Sequence, residues 1–283
     1  MEQQVLVGAV LGASSLVAGY VLHRLSELRS EEVSYLHLVP QFRNFGKLRD
    51  HLKNSPDLAA DVLLEGVVEK LGNAALYSEK AGVEGAARLV TTTTYTKVYH
   101  EESQSWRDMS NSMENVNLSL PFKLADNKGS YVRVEMVHNA GGFRQLLQKV
   151  FQEKTQPEQR TMGDYATNIT LREIPNGSFT REFLLVFGTS MGAYGNAVLT
   201  NQSLLSSGEV VFTPKEVGSS ISNLILRNEM IANTFKFLSF VFLFAGGSIL
   251  LLSAVPIFFK FLMPNTYRRR PLAVESVEDE EQP

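Results

Sequence analysis

The sequence predicts an α+β protein: a β-rich domain with a few short helices, flanked by two transmembrane helices. Two uncharged apolar runs, at residues 5–22 and 237–259, are long enough to cross a bilayer as helices. Between them lie segments that alternate apolar and polar residues or are rich in β-branched and aromatic residues, which is typical of strands. These three observations divide the 283 residues into a membrane anchor and a folded domain.

The second run, at 237–259, carries the stronger membrane signal. It contains no charged residue, and Lys236 and Lys260 stand at its ends. About 23 residues, each rising about 1.5 Å, give a helix of about 35 Å, which exceeds the hydrocarbon core of about 30 Å. Its only polar side chains are serines, whose hydroxyls can bond to their own helix. Because a soluble core helix of this length would show a polar stripe, we expect a transmembrane helix.

The first run, at 5–22, predicts a second transmembrane helix. A cleaved signal peptide is the alternative, but such a peptide begins with basic residues and ends in a small-x-small site. Here Glu2 precedes the run and no such site ends it, which favours an uncleaved anchor. Small residues on one helix face predict close packing of backbones in lipid, although glycine and alanine are common in membrane helices generally. These residues are Gly8, Gly12, Ser15 and Gly19.

The region between the two runs divides into linker helices at 25–58 and a β-rich domain at 61–233. Apolar residues recur at helical spacing up to Pro40 and again up to Pro56, where proline ends each helix. A polar segment at 264–283 predicts a disordered tail. Within the domain we expect a hairpin turn at Asn176-Gly177 and a hairpin between 96–99 and 106–109 through a polar turn at 100–103. The strand that begins at Val62 alternates with a partly buried second face. Strands are predicted at 62–69, 88–99, 106–109, 116–124, 131–137, 165–174, 180–189, 193–200 and 208–213, and helices at 143–151 and 219–233.

Composition and motifs exclude several kinds of chemistry. The net charge is −3 with no long basic run, so no nucleic-acid partner is expected. The chain has no cysteine, which excludes disulfides, thiol catalysis and zinc sites built on cysteine. No phosphate-binding or nucleophile motif is present, and no two histidines have metal-ligand spacing. We therefore predict no catalytic, cofactor-binding or metal-binding residue and no cofactor. The histidines are His23, His37, His51, His100 and His138, and the scattered strand carboxylates are Asp108, Glu135, Asp164 and Glu173.

Charge near the membrane predicts the topology. Two spans place residues 24–234 on one side of the bilayer and both chain ends on the other. Basic residues at 268–270 mark the C-terminal flank as cytoplasmic, which puts the domain in a lumen or an intermembrane space. Four N-x-[ST] sequons would carry sugars in the lumen of the endoplasmic reticulum and otherwise reflect turn chemistry. They begin at Asn117, Asn168, Asn176 and Asn201.

The domain contains a series of short motifs in a recognisable order. They are DVLLEGVV at 61–68, a Thr-rich strand at 88–99, His100 with WRD at 106–108, LPFKL at 120–124, LRE at 171–173 and a hairpin at 195–201. With the flanking apolar runs, this order resembles the mitochondrial-anchored protein ligase family (MAPL, also called MULAN). The intermembrane part of that family is the GIDE or "beside a membrane" (BAM) domain. The resemblance covers residues 5–261.

The resemblance implies a location and a pathway. It places the chain in the mitochondrial outer membrane, with both ends cytosolic and the domain in the intermembrane space. Family members are RING-type ubiquitin and SUMO E3 ligases, whose C-terminal RING binds two zinc ions through about eight ligands. No position here matches those ligands, so no catalytic residue carries over. We expect a RING-less member that acts as a regulatory or interaction partner rather than as an autonomous ligase.

The expected partners are the lipid bilayer and other membrane proteins. Homo- or hetero-oligomers are expected to form through the transmembrane helices, including the Gly8 and Gly12 face, and through the middle domain. The alternative function is a ligand-binding or hydrolytic ectodomain of a secretory-pathway membrane protein.

Overall fold

The computed structural model describes residues 2–55, 57–156, 173–200 and 208–262. These residues form two compact units, one from Met1–Ser30 with Ile231–Pro283 and one from Glu31–Met230. Several predictions lie outside the described residues. They are most of the strand at 165–174, the tail at 264–283 with its basic residues, Asp164, and the sequons at Asn168 and Asn201.

Two long helices contain the predicted membrane spans. Helix α1 (Glu2–Leu38) continues from the first apolar run into the first linker helix, and it ends two residues before Pro40. Helix α4 (Ile221–Leu262) joins the helix predicted at 219–233 to the second apolar run without a break. Both are long and apolar enough to cross a membrane, and only 11% of each apolar window is buried. A core helix of a soluble protein would be mostly buried, so the two helices are suited to lipid.

The domain between the long helices is α+β, as predicted, and consists of two sheets with short helices. Its elements are β1 (Gln41–Phe42), α2 (Phe45–Lys53), β2 (Ala59–Glu69), β3 (Leu76–Ser78), β4 (Val83–His100), β5 (Ser105–Ser119), β6 (Phe122–Ala125), β7 (Tyr131–Val134), a 3-10 turn (Val137–Asn139), α3 (Phe143–Leu146), β8 (Gln148–Thr155), β9 (Glu173–Val186), β10 (Ser190–Thr200) and β11 (Glu209–Gly218).

The first sheet closes into a small barrel. Its strands follow the order β2, β10, β11, β7 and β6, and β6 pairs again with β2. Strand β2 makes both contacts because its first part pairs with β10 and its last three residues pair with β6. Alternate side chains of these strands fill the barrel, among them Leu64, Leu124 and Phe212, all with 0% exposure. Closure leaves no long free edge in this sheet.

Helix α2 covers part of the barrel core. Its N-cap Asn44 accepts a hydrogen bond from the Gly46 N–H at 3.0 Å. Asp126, in the turn after β6, accepts a second bond from the Phe45 N–H at 2.9 Å. These bonds fix the start of the helix, and its apolar face, formed by Phe45, Leu48 and Leu52, is buried against the barrel.

A second apolar cluster lies on the outer face of β2. Leu63 points away from the barrel interior but has 0% exposure. Leu36 near the end of α1 and Val39 just after it cover Leu63, together with Ile221 and Leu224 at the start of α4. The prediction of a β2 strand with a partly buried second face is confirmed by this contact.

The second sheet is open and has the order β5, β4, β9, β8, with the short β3 beside the start of β4. Strand β4 pairs with β5 from Ala87 to His100, and their hairpin turns at residues 101–104. The sequence predicted this hairpin, with a turn one residue earlier. In the turn Gln104 adopts a left-handed conformation with φ of 45°.

Two local predictions are wrong. The helix predicted at 143–151 ends at Leu146, and the chain continues as β8, because Val150 and Phe151 favour a strand and β9 offers an edge to pair with. The hairpin predicted at Asn176-Gly177 is a bulge inside the continuous β9. Two residues there oppose Tyr95 alone, and Gly177 takes a φ of 104° that suits glycine.

Candidate membrane anchor and surface sites

The two long helices pack against each other in antiparallel fashion within the first unit. A Cβ added at Gly12 would lie 2.7 Å from the Leu250 side chain, and one added at Gly19 would lie 2.8 Å from Leu243. A Cβ at Gly246 would lie 2.8 Å from the Gly12 carbonyl oxygen. Only glycine allows the backbones to come this close. The stripe of small residues predicted on α1 therefore packs against α4 of the same chain.

A hydrogen bond joins the helices at the same stripe. The Ser15 hydroxyl donates to the Phe242 carbonyl oxygen at 2.8 Å. Ser14 and Ser253 instead donate to their own helices, to carbonyls four residues earlier at 2.8 Å each. Because no water is present to satisfy a polar group in hydrocarbon, these bonds make the serines compatible with a membrane span.

The outside of the helix pair is apolar and exposed. Exposed side chains on α1 include Leu6, Val10 and Val17, and those on α4 include Phe240, Phe244 and Leu251. Phe240 and Phe244 stack one helical turn apart, with ring centroids 6.4 Å apart. Exposure of so much apolar surface to water is unfavourable, whereas lipid acyl chains are as apolar as these side chains. The helix pair is therefore suited to anchor the chain in a bilayer.

The histidines identified in the sequence do not form a cluster in the structure. His37 lies 3.1 Å from Glu229, His51 packs beside Phe42, and His138 accepts or donates a bond with Ser119 through Nδ1. Among the described carboxylates, Glu135 pairs with Arg133 at 2.9 Å and Asp108 is exposed on β5. The described residues contain no group of three or more potential metal ligands.

One polar cluster joins three strands on the outside of the barrel. Lys215 on β11 donates to both oxygens of Asp61 on β2, at 3.1 and 2.9 Å. Asp61 also accepts bonds from the Tyr194 hydroxyl at 3.2 Å and from the Asn196 amide at 3.4 Å, both on β10. Lys215 reaches the carboxylate because it is the extra residue of a bulge between β10 and β11.

The cluster changes the acidity of its members. Burial alone would raise the pKa of Asp61, but the bonds from Lys215 and Asn196 and the charge of Lys215 outweigh it and lower the pKa below 3.8. Burial and the adjacent Asp61 carboxylate raise the pKa of Tyr194 well above its usual value. The phenol is therefore held protonated as a donor, and the cluster acts as a clasp between strands rather than as an acid-base site.

A second polar cluster is buried in the open sheet. Glu182 on β9 has 5% side-chain exposure and lies 2.6 Å from the Arg88 guanidinium on β4. The Ser78 hydroxyl on β3 donates a hydrogen bond to the second carboxylate oxygen of Glu182 at 2.7 Å and accepts one from the Ala81 N–H. The Glu182 charge is thus paired with Arg88, and one of its two oxygens accepts a hydrogen bond from Ser78. Its role is to attach β3 and the following turn to the sheet.

A cavity of about 410 Å³ opens beside α3. Its apolar wall contains Leu89 and Phe143, and its polar wall contains His138 and Arg144. Arg144 is already bound by Glu114 through two hydrogen bonds, and the Ser119–His138 pair has no third group orienting the imidazole among the described contacts. Among the described residues, the cavity therefore borders a serine–histidine pair that has no group to orient the imidazole, as a hydrolase triad would have.

No protein-family model matches the chain, and no curated protein matches it.

The packing at Gly246 gives a direct test of the helix pair. Gly246→Leu should destabilise the pair by about 1–3 kcal/mol, because the added side chain meets the backbone of α1. The matched control is Gly247→Leu at the next residue, where an added Cβ meets nothing within 4 Å. The measurement is unfolding of the full chain in mixed micelles titrated with dodecyl sulfate. Equal effects of the two substitutions would contradict the packing.

The clasp on the barrel predicts a pH dependence. A carboxylate with a lowered pKa in the folded state stabilises above its unfolded pKa of about 3.9 and loses that contribution as the pH falls below it. Asp61→Asn should therefore cost about 1–3 kcal/mol at pH 7 and less at pH 3. Thermal unfolding of the full chain in detergent, followed by circular dichroism, measures this. Asp57→Asn, an exposed acid before β2, is the control and should leave the profile unchanged.

Proposed function

We propose that the chain is a two-span protein of the mitochondrial outer membrane, with its β domain in the intermembrane space and both ends in the cytosol. We assign it to the MAPL/MULAN ubiquitin and SUMO ligase family, as a regulatory or interaction partner in protein ubiquitination. The observation that carries the proposal is the order of elements: an anchor helix, a β-rich domain and a second anchor helix packed on the first. The motif order described above supports the family assignment.

A non-catalytic role follows from the available chemistry. A RING needs cysteine and histidine ligands for two zinc ions, and these 283 residues contain no cysteine. The polar clusters described above, around Asp61 and Glu182, have their charges paired within the domain. The domain offers instead an open sheet with exposed side chains along β5, which suits contact with another protein.

The topology can be tested in intact mitochondria. Protease should remove an epitope placed after residue 283 and spare the β domain, because the outer membrane shields the intermembrane space. Rupture of the outer membrane should then expose the domain. Cleavage of the domain first would overturn the orientation.

The alternative, an ectodomain of the secretory pathway, has one observation in its favour. Asn176 is exposed at the β9 bulge and begins an N-x-[ST] sequon. A mobility shift with endoglycosidase that is lost in Asn176→Gln would favour this alternative and reject the mitochondrial location.

The pathway is tested by association with a full-length RING-bearing ligase of the MAPL/MULAN family. We expect the chain to co-precipitate with the ligase from mild detergent and to lower or redirect its ubiquitination products. A second chain keeps the domain and replaces each helix with an unrelated anchor. Association of this chain with the ligase would show that the domain makes the contact, and its loss would show that the helices make it in lipid. Failure of both chains to associate, in detergent and by crosslinking in the membrane, would contradict a regulatory role.

A further inference from the structure

Strand β5 is unusual because none of its first ten residues is buried. It pairs with β4 along its whole length, and among the described residues β4 is its only strand partner. Every residue from 105 to 114 is exposed. The outer edge of β5 therefore presents a row of unpaired backbone N–H and C=O groups to solvent.

Long edges of this kind are normally protected from other strands. Lysine, proline or a bulge at the edge prevents pairing. Strand β5 contains neither lysine nor proline, and its only register shift with β4 lies at Ala87/Arg88, far from the hairpin. The edge is thus long and regular, and its charged side chains are Arg107, Asp108 and Glu114.

Two methionines on this strand are the most informative side chains. Met109 lies opposite Thr96 and Met113 opposite Thr92, so both point to the same face of the sheet. They are 52% and 64% exposed. Methionine contributes adaptable apolar contact area when another surface covers it.

We propose that a second copy of this chain pairs with this edge, β5 against β5 in antiparallel orientation, about a two-fold axis at Asn111. This register places each Met109 directly opposite Met113 of the other copy, and it covers all four methionines. An axis moved to Ser110 would place Met113 opposite Arg107, and an axis moved to Ser112 would place it opposite Asn111. Cross-strand apolar pairs favour the axis at Asn111.

The charges on β5 are compatible with this register. Asp108 lies opposite Glu114 of the other copy, and two bare carboxylates there would repel. Glu114 is not bare, because the Arg144 guanidinium binds its two oxygens, one of them at 3.0 Å. Asp108 therefore meets an ion pair whose guanidinium attracts it.

A second copy is the occupant that fits best for two reasons. The pairing of a strand with itself about a two-fold axis closes, so it ends at a dimer. Anchoring in one bilayer, which rests on the proposed function, gives all copies the same orientation and a high local concentration.

Single cysteines test the axis without background, because the chain has none. Asn111→Cys should form a disulfide-linked dimer in native membranes under copper phenanthroline, several-fold more than Gln152→Cys on the exposed edge strand β8 of the same sheet. Met109→Cys and Met113→Cys should crosslink poorly when expressed alone and well when expressed together.

A charge on the edge should abolish the contact. Adding Met113→Lys to Asn111→Cys should remove the disulfide dimer, and adding Met136→Lys, an exposed methionine outside β5, should not. Crosslinking at Asn111→Cys no greater than at Gln152→Cys would overturn the proposal, as would a maximum at another β5 position. Membrane extraction and protease protection of the same variants test the proposed topology independently of crosslinking. Loss of the disulfide dimer with normal extraction and protection would therefore contradict the dimer and not the topology.

Discussion

Burial of Leu63 beneath the two helix ends is the contact on which the domain depends. The outer face of a barrel strand normally meets water, and a leucine placed there would leave its surface exposed. Here residues from the end of α1 and the start of α4 cover it, which stabilises the fold by about 1.5–3 kcal/mol for the leucine alone. The same contact holds the entry and exit of the domain side by side. A domain inserted between two membrane helices needs its ends together, and this apolar cluster supplies that constraint.

The two long helices associate through different interactions, because the hydrophobic effect does not drive helices together in lipid. Close approach is possible at Gly12 and Gly246 because neither carries a side chain, and the Ser15 hydroxyl adds one bond across the interface. Because the small-residue face packs within one chain, it is not available to pack against a second chain. The sequence predicts oligomers partly through that face, and the structure shows the face covered by α4.

The sequence predicts what is local and misses what depends on partners in the fold. The two apolar runs, the β4–β5 hairpin and β2 follow from composition and period. The segment at 143–151 has a helical apolar pattern, but β9 offers an edge that captures Gln148 onward. Asn176-Gly177 is a strong turn signal that pairing with β4 converts into a bulge. The Asp61 clasp could not be predicted, because it needs the β2–β10 register and the extra residue Lys215 of a bulge far along the chain.

The energetics of an exposed strand explain why membrane anchoring and edge pairing belong together. Each hydrogen bond along the β5 edge gives a net gain of about 0.5–1.5 kcal/mol, and two apolar pairs add to it. The sum is comparable with the cost of association, about 4–15 kcal/mol in free solution. An edge this modest would leave dissolved copies mostly apart. Two anchor helices confine the copies to a plane with one orientation and remove much of that cost before contact. The proposed contact is then reversible and depends on the surface density of the chain in the membrane.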